Sequence, residues 1–378
     1  QKDIYKENKI YKISSIEKLI NENGISIIKL PKQTQLFYFD IYQNKNHLNI
    51  DLPQPYICSI KSARILSGSS LVLYKKFVIS ENLSNKKYGK YSDLRFDPVV
   101  IAHKRKHLLI KEFKRGKRVS KGFMLCGQAS SAYGHWTQEF LPKLRFLEHH
   151  PDFSSIPIIV DANMPSTHYE FLKVILDNPI LTLKKNEYLD IDELLVAPSD
   201  TFFPTHLKCS NSLPQEQLSS FTIDALKYIK EKINSKLDRP SREPKSRIFL
   251  SRRNSTWRKV TNENEVYNYL KKFDFEKIYI EDFDFYEQVS IFRNAKYIVA
   301  PNGSALNNLI FSNETSKILI LGQKNTFNLG GWYGSFLKLG FNLDYFSSEI
   351  NIEEPFKHSN YEINMELFKI KINQFFKL

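Results

Sequence analysis

The chain has 378 residues, 42% hydrophobic, 25% charged and 13% aromatic, a composition that excludes disorder as the default and suits two domains better than one. No apolar run approaches the ~20 residues of a membrane span, and the polar opening "QKDIYKENKIYKI" lacks the apolar core of a signal peptide. A net charge of +14 and a pI near 9.3 call for an acidic partner, whether nucleic acid, anionic lipid, sugar nucleotide or anionic polysaccharide.

In chain order, "SSIEKLINENG" places Ser14 and Glu17 at capping-box spacing with Gly24 as a helix stop, and "ISIIKL" reads as a strand. "PYICSIKSARILSGSSLVLYKKFVISEN" is rich in β-branched and aromatic residues around a Ser-Gly-Ser turn, which predicts an antiparallel hairpin or meander. Cys58, Cys126 and Cys209 are odd in number and far apart, without zinc spacing, and read as buried thiols of a reducing compartment. Residues 104–121, "KRKHLLIKEFKRGKRVSK", form the densest basic run, read first as a solvated face or loop and second as a contact for an anionic membrane or polymer.

"GFMLCG" then predicts a buried strand, "YGHWTQEFLPKLRFLEHH" a helix interrupted or entered near Pro142, "IPIIVDA" a strand, "HYEFLKVILDN" a helix and "ELLVAP" a strand. Residues 198–217 concentrate Pro, Ser, Thr and Asn and read as the interlobe linker, followed by the helix "FTIDALKYIKEKINSKL" and the loop "DRPSREPK". From Arg247 onward, "RIFLS", "FEKIYIE", "KYIVA" and "KILIL" alternate with helical segments, the signature of a parallel sheet with right-handed crossovers. The expected fold is α/β, with a Rossmann-like second lobe that lacks G-x-G-x-x-G.

Ligands of parallel α/β sheets sit beyond the carboxyl ends of the strands. There "SRRNSTWRK" supplies Ser251, Arg252, Arg253, Arg258 and Lys259 around Trp257, forked donors suited to a diphosphate beside a ring suited to stacking on a base or sugar. Arginines paired with surface carboxylates are the plainer reading of the same residues. In "YIVAPNGSALNNLIF", Pro301 ends a strand, Gly303 permits a close or left-handed backbone, and Ser304 reads as the cap of a helix whose free N–H groups can hold an anion. In "YGHWTQEFLP", His135 and Glu139 are four residues apart, hence on one helical face, where a His–carboxylate pair can take a proton. The close carboxylates of "FDF" and "EDFDF" read as solvated charges, and no D-x-D accompanies the phosphate loops.

"YGHWTQEFLPKLRFLE", "IFLSRRNSTWRKVTNENEV" and "FYEQVSIFRNAKYIVAPNGSALNNLIF" resemble, in order and spacing, the three blocks of glycosyltransferase family 61. The resemblance implies a GT-B architecture: two Rossmann-like lobes facing across a cleft, the N-terminal one with additional antiparallel strands. It implies an N-terminal acceptor-side lobe over 1–205, a C-terminal nucleotide-sugar lobe over 206–350, and a tail over 351–378 packing back on the N-terminal lobe. It also implies an inverting transfer from a nucleotide sugar, a UDP-sugar foremost, to a glycan acceptor in bacterial capsule or surface polysaccharide synthesis. The site residues carried over are Glu139 or His135 as base and Arg252, Arg253, Arg258, Asn302, Gly303, Ser304 and Asn307 for the donor. The family usually places His-Gly where this chain has Asn302-Gly303; Asn keeps a hydrogen-bond donor but no positive charge.

Such a site calls for no metal and no cofactor, because guanidinium groups and a helix start meet the leaving charge. A cytoplasmic protein at the inner face of the membrane is expected, with peripheral contact to anionic lipid. Nucleic acid is not expected as a partner, since no recognised module is present. The alternative reading is a non-catalytic glycan- or nucleic-acid-binding protein on a transferase-like fold.

Overall fold

The computed structural model describes residues 9–31, 36–40, 45–50, 55–80, 94–199, 222–237, 245–323, 330–348 and 359–377. Nearly all of the expected linker, the expected boundary at 205/206 and Cys209 lie outside these residues. The chain divides into two compact units, Gln1–Leu36 with Asp51–Tyr228, and Phe37–Ile50 with Ile229–Leu378.

The first unit opens with β1 (Lys9–Ser14), α1 (Ile16–Leu19) and β2 (Ile25–Lys29). The helix cap position belongs to Ser15 rather than Ser14, with no side-chain bond, and Gly24 takes the left-handed backbone (φ 102) that turns the chain into β2. β3 (Leu36–Asp40) and β4 (Lys45–Ile50), which apart from Leu36 belong to the second unit, pair with each other among the described residues. β5 (Tyr56–Leu66), β6 (Val72–Tyr74) and β7 (Phe77–Ile79) form the expected antiparallel meander, turning at Gly68 (φ 69).

β8 (Val100–Lys104), β9 (His107–Ile110) and β10 (Lys114–Met124) follow, so the basic run is mostly strand rather than loop. The reason lies in a strand far along the chain. β10 pairs in parallel with β13 (Glu187–Val196), and the register sets Lys114 against Glu187, Arg118 against Asp190 and Lys121 against Glu193. Arg118 bonds Asp192 (2.6 Å), and Lys121 lies 3.8 Å from Glu193. Cross-strand pairs of opposite charge stabilise a ladder that like charges alone would oppose.

Between β10 and β13 run α2 (Tyr133–His135), α3 (Leu144–Leu147), β11 (Ile158–Asp161), α4 (Ser166–Ile175) and β12 (Ile180–Leu183). The eleven-stranded sheet runs β12-β11-β10-β13-β5-β6-β7-β1-β9-β8, with β2 on β5. Its β12-β11-β10-β13 portion is parallel. Strand alternation sends Val72 and Tyr74 to one buried cluster and Leu73 to another, so both faces are covered. Cys58 and Cys126 are buried free thiols.

α5 (Ile223–Lys236) spans the division between the units. The second unit contains β14 (Arg247–Leu250), α6 (Glu263–Leu270), β15 (Glu276–Ile278), α7 (Phe285–Asn294), β16 (Tyr297–Pro301), a 3-10 helix (Ser304–Phe311), β17 (Lys317–Gln323), α8 (Gly330–Lys338), β18 (Asn342–Ser348) and α9 (Met365–Lys377). Its sheet is wholly parallel in the order β15-β14-β16-β17-β18. The alternation predicted from Arg247 holds, and α8 and β18 extend it. The tail differs from expectation: Tyr361, Ile363, Phe368, Ile372 and Phe375 join Val299, Leu319 and Phe346 in the core of the second unit. A run of aromatic residues at helical spacing finds its partner in the nearest open face of that sheet.

No helix of the described residues is long and apolar enough to cross a membrane. Phe368 is fully buried whereas Leu367, its neighbour on α9, is exposed. Phe368→Ala is expected to cost about 3–5 kcal/mol of stability through cavity formation, and Leu367→Ala less than about 0.5 kcal/mol, both measured by urea unfolding.

Candidate active site

In each unit the strand order reverses beside one strand, and that is where a parallel sheet opens a crevice. In the first unit the chain steps from β10 to β11 and β12 on one side, then to β13 on the other. The loop leaving β10 leads directly into α2. Asp161, at the end of β11, pins that loop: its carboxylate accepts from Gly127 N (3.0 Å), Ser130 Oγ (2.7 Å) and Gly68 N (2.9 Å). This buried carboxylate was not singled out from the sequence, where a lone Asp ending "IPIIVD" carries no distinguishing signal.

The helix beyond the loop is irregular for a physical reason. Pro142 has no N–H to give to the carbonyl four residues back, and its ring crowds that carbonyl. The preceding turn widens into a π-helical stretch, Trp136–Phe140, closed by Leu141 N–H on the Trp136 carbonyl. His135 and Glu139 face each other across this widened turn, His135 Nδ1 hydrogen-bonded to Glu139 Oε1. Both side chains are largely buried, at 19% and 12% exposure. Such single-turn π stretches recur at functional sites.

Beneath the pair lies His168 of α4, 1% exposed. Its ring stacks on Trp136 (centroids 5.5 Å) and meets Tyr133 edge-on (5.7 Å). Neither of its nitrogens has a hydrogen-bond partner among the described residues. Desolvation therefore holds the imidazole neutral and lowers its pKa from 6.5 to about 4. Burial likewise pushes the Tyr133 phenol far above its usual value.

In the second unit the chain steps from β14 to β15 on one side and β16 on the other, so the reversal falls between β14 and β16. The two loops singled out from the sequence leave these two strands. Arg252 joins them: Nη1 donates to the Asn302 carbonyl (3.2 Å), Nη2 to Ser255 Oγ (2.6 Å) and to the Trp257 carbonyl (3.1 Å). Gly303 is extended (φ 177) rather than left-handed. It matters for space instead, because a Cβ there would fall on the Arg252 guanidinium.

Ser304 is exposed and is the first residue of the 3-10 helix, not its cap; the cap position is Gly303, and no side chain bonds the helix start. Asn302 is buried, its N–H on the Leu321 carbonyl (2.7 Å). Asn307 is buried and donates to the Ser304 carbonyl (2.8 Å). Arg258 sits half-buried with left-handed backbone (φ 58), beside the half-exposed Trp257.

Arg253 is not gathered with this group. Its guanidinium takes both oxygens of Asp282 (2.8 and 3.0 Å) and lies 4.0 Å from the Tyr279 ring. Asp284 caps α7 in a capping box with Glu287. Two of the "EDFDF" carboxylates, Asp282 and Asp284, thus serve structure as well, while all three stay exposed as expected. Sequence reasoning passed over Glu263, which accepts from Ser251 Oγ (2.8 Å) and Lys277 Nζ (2.9 Å) at the end of β14. It also passed over the C-terminal segment, where Asn360 Oδ1 accepts from Lys259 N (2.9 Å) and Tyr361 OH donates to the Leu321 carbonyl (2.8 Å). Among the described residues, no three His, Cys, Asp or Glu side chains are gathered as a metal set would be.

Residues 133–319 match the family model described as Glycosyltransferase 61, and no curated protein matches the chain. The matched stretch begins at Tyr133 in α2, includes the His135–Glu139 pair and both loops joined by Arg252, and ends within β17. It supports glycosyltransferase family 61, and with it a transferase that uses a sugar donor and a glycan acceptor.

Two outcomes are expected. An unfolded imidazole takes its proton near pH 6.5 and the folded His168 only near 4, so its contribution is whole above pH 6.5 and is lost as pH falls toward 4. That loss amounts to about 3 kcal/mol at most, and melting temperatures across this window should fall for the wild type and flatten for His168→Leu. Separately, Gly303→Ala and Arg252→Ala should be non-additive, with a coupling of about 0.5–3 kcal/mol in a double-mutant cycle of unfolding, because the alanine methyl and the guanidinium compete for one space.

Proposed function

We propose that the protein is an inverting glycosyltransferase moving a sugar from a nucleoside diphosphate sugar, foremost a UDP-sugar, to a glycan hydroxyl in bacterial surface polysaccharide synthesis. The observation that carries this reading is the meeting of Arg252, Asn302 and Gly303 at the strand-order reversal of the second unit, inside the stretch that matches the transferase family.

The reaction is a single displacement. The acceptor oxygen forms a bond to the anomeric carbon as the bond from that carbon to the diphosphate oxygen breaks, and the electron pair leaves with the diphosphate. The acceptor proton goes to His135 Nε2. Nδ1–H donates to Glu139, which holds the tautomer with a lone pair on Nε2 and stabilises the imidazolium that forms. Glu139 is the rival base, since a carboxylate in the same place can take the proton itself.

On the donor side, the leaving charge is met by Arg252 and Arg258, with N–H groups at the Asn302-Gly303-Ser304 turn and the Asn307 amide at hand. Trp257, half-exposed on the same loop, offers a face for the base or the sugar. Arg253 contributes indirectly, by fixing the loop to Asp282.

Donor turnover into an added acceptor, or into water, tests the reading. His135→Ala should lower turnover by about 10²–10⁴-fold while nucleoside diphosphate affinity, read by calorimetry, stays at the wild-type value. Glu139→Gln should cost less if Glu139 only orients the ring, and as much or more if it is the base. Arg252→Ala should weaken nucleoside diphosphate binding by about tenfold or more; unchanged affinity would remove this loop from the donor site.

A further inference from the structure

The basic run that the transfer reaction does not use has a defined place in the first unit. β9 and β10 stand far apart in the strand order of the sheet, yet only residues 111–113 join them. The sheet therefore bends back on itself, and the bend encloses a concavity of about 510 Å³. Tyr11, Arg64, Tyr188, Phe113, Lys114 and Arg115 are among its walls. An adjoining cavity of about 470 Å³ shares Tyr11, Arg64 and Leu73 and adds Ser62, Lys75, Lys76 and Asp190.

The lining is chemically specific. Six cations, Arg64, Lys75, Lys76, Lys111, Lys114 and Arg115, face two carboxylates, Glu112 and Asp190. Arg64 is held rigidly, its Nε on Asp190 (2.7 Å) and its guanidinium 3.8 Å from the Tyr188 ring centroid. Burial works against its charge, but the bond to Asp190, the charge of that carboxylate and the nearby Tyr188 and Tyr11 phenols together more than offset this, so the guanidinium stays protonated. Lys111 and Arg115 are exposed at the rim, with Phe113 half-buried between them. All of these residues except Tyr188 and Asp190 lie outside the stretch that matches the transferase family.

We propose that this concavity is a binding site for an acidic oligosaccharide, its carboxylates met by Arg64, Lys111, Lys114 and Arg115 and a sugar face by Phe113. Cations on concave walls suit a polymer strand that enters them, whereas a flat bilayer reaches protruding charge. Glu112, Asp190, Ser62 and the Tyr11 phenol supply acceptors for sugar hydroxyls, groups that a DNA phosphodiester backbone lacks. The choice of a glycan among polyanions rests on the transferase reading, whereas the anion-and-ring chemistry of the site stands on its residues alone.

Calorimetry with the full chain tests it, using a trigalacturonate, its carboxyl-reduced neutral counterpart, vesicles of phosphatidylcholine with phosphatidylglycerol, and a single-stranded oligodeoxynucleotide. The trigalacturonate should bind about tenfold or more tighter than the neutral trisaccharide, and weaken with added salt. Lys111→Gln with Lys114→Gln, both exposed and setting no like charge against Glu187, should lose about that factor and leave UDP affinity unchanged; Arg115→Gln is the second, independent variant. Equal binding of the neutral sugar, unchanged affinity in both variants, or charge-dependent binding of vesicles or DNA without binding of the uronate would each overturn the proposal. Loss of the uronate site with donor turnover intact defeats this proposal alone. Uronate binding without turnover of any nucleotide sugar supports the site and defeats the transferase reading instead.

Discussion

One guanidinium occupying the space of one missing side chain organises the second unit's site. Arg252 lies where a Cβ of residue 303 would be, and from there it reaches the Asn302 carbonyl, Ser255 and the Trp257 carbonyl. A planar group with five donors in fixed directions can fasten two loops at once, as a lysine ammonium on a flexible stem cannot. The loop after β14 and the loop after β16 are thereby held together where the strand order reverses. Trp257, half-exposed, and Arg258, half-buried, then follow on the first loop. The far end of that loop is fastened separately, by Asn360 and Tyr361, so its conformation is set from both sides before any ligand arrives.

The first unit reaches a comparable result through a proline. Pro142 denies the helix one hydrogen bond, the turn before it widens, and the widened turn brings His135 and Glu139 together. Supporting this turn is apolar packing with a polar residue inside it: Trp136 against Phe140 and against the neutral His168 ring. Asp161 supplies the other anchor by holding the loop that precedes α2. A buried ring without hydrogen bonds costs stability, and here that ring packs on Trp136 within the turn.

Much of this was legible in the sequence because it depends on neighbours along the chain. The regular alternation after Arg247 gives the parallel sheet, and the four-residue spacing of His135 and Glu139 gives their contact. What was not legible depends on partners distant in sequence. Arg252 and Arg253 are adjacent and chemically identical, yet one clamps the two loops and the other pairs with Asp282, a distinction set by strand geometry. The strand β10 could not be read from "KRGKRVSK" because its stability comes from the acids of β13, some seventy residues later. Gly303 was read as a conformational glycine, but its extended backbone shows that the missing side chain, not the torsion, is what the site requires. The terminal aromatic residues carry a helical period, which says that a face is buried but not against which sheet.

The excess of positive charge takes on meaning only when sorted by partner. Arg253, Arg118 and Lys121 answer nearby carboxylates and add little to any field. Arg252 donates to oxygens of two loops, which fixes its geometry. Arg64 pairs with Asp190 yet shares that carboxylate with Arg115, and the lysines at the rim of the same concavity outnumber the acids there. Charge that is fixed in place and incompletely answered within the protein raises the local concentration of anions. The concavity of the first unit is such a place, and the loops proposed for the donor add a geometrically fixed guanidinium in the second. Their linings differ as the two proposed ligands require: a compact guanidinium with backbone N–H groups suits a diphosphate, and spread cations with rings and hydroxyl acceptors suit an acidic sugar chain.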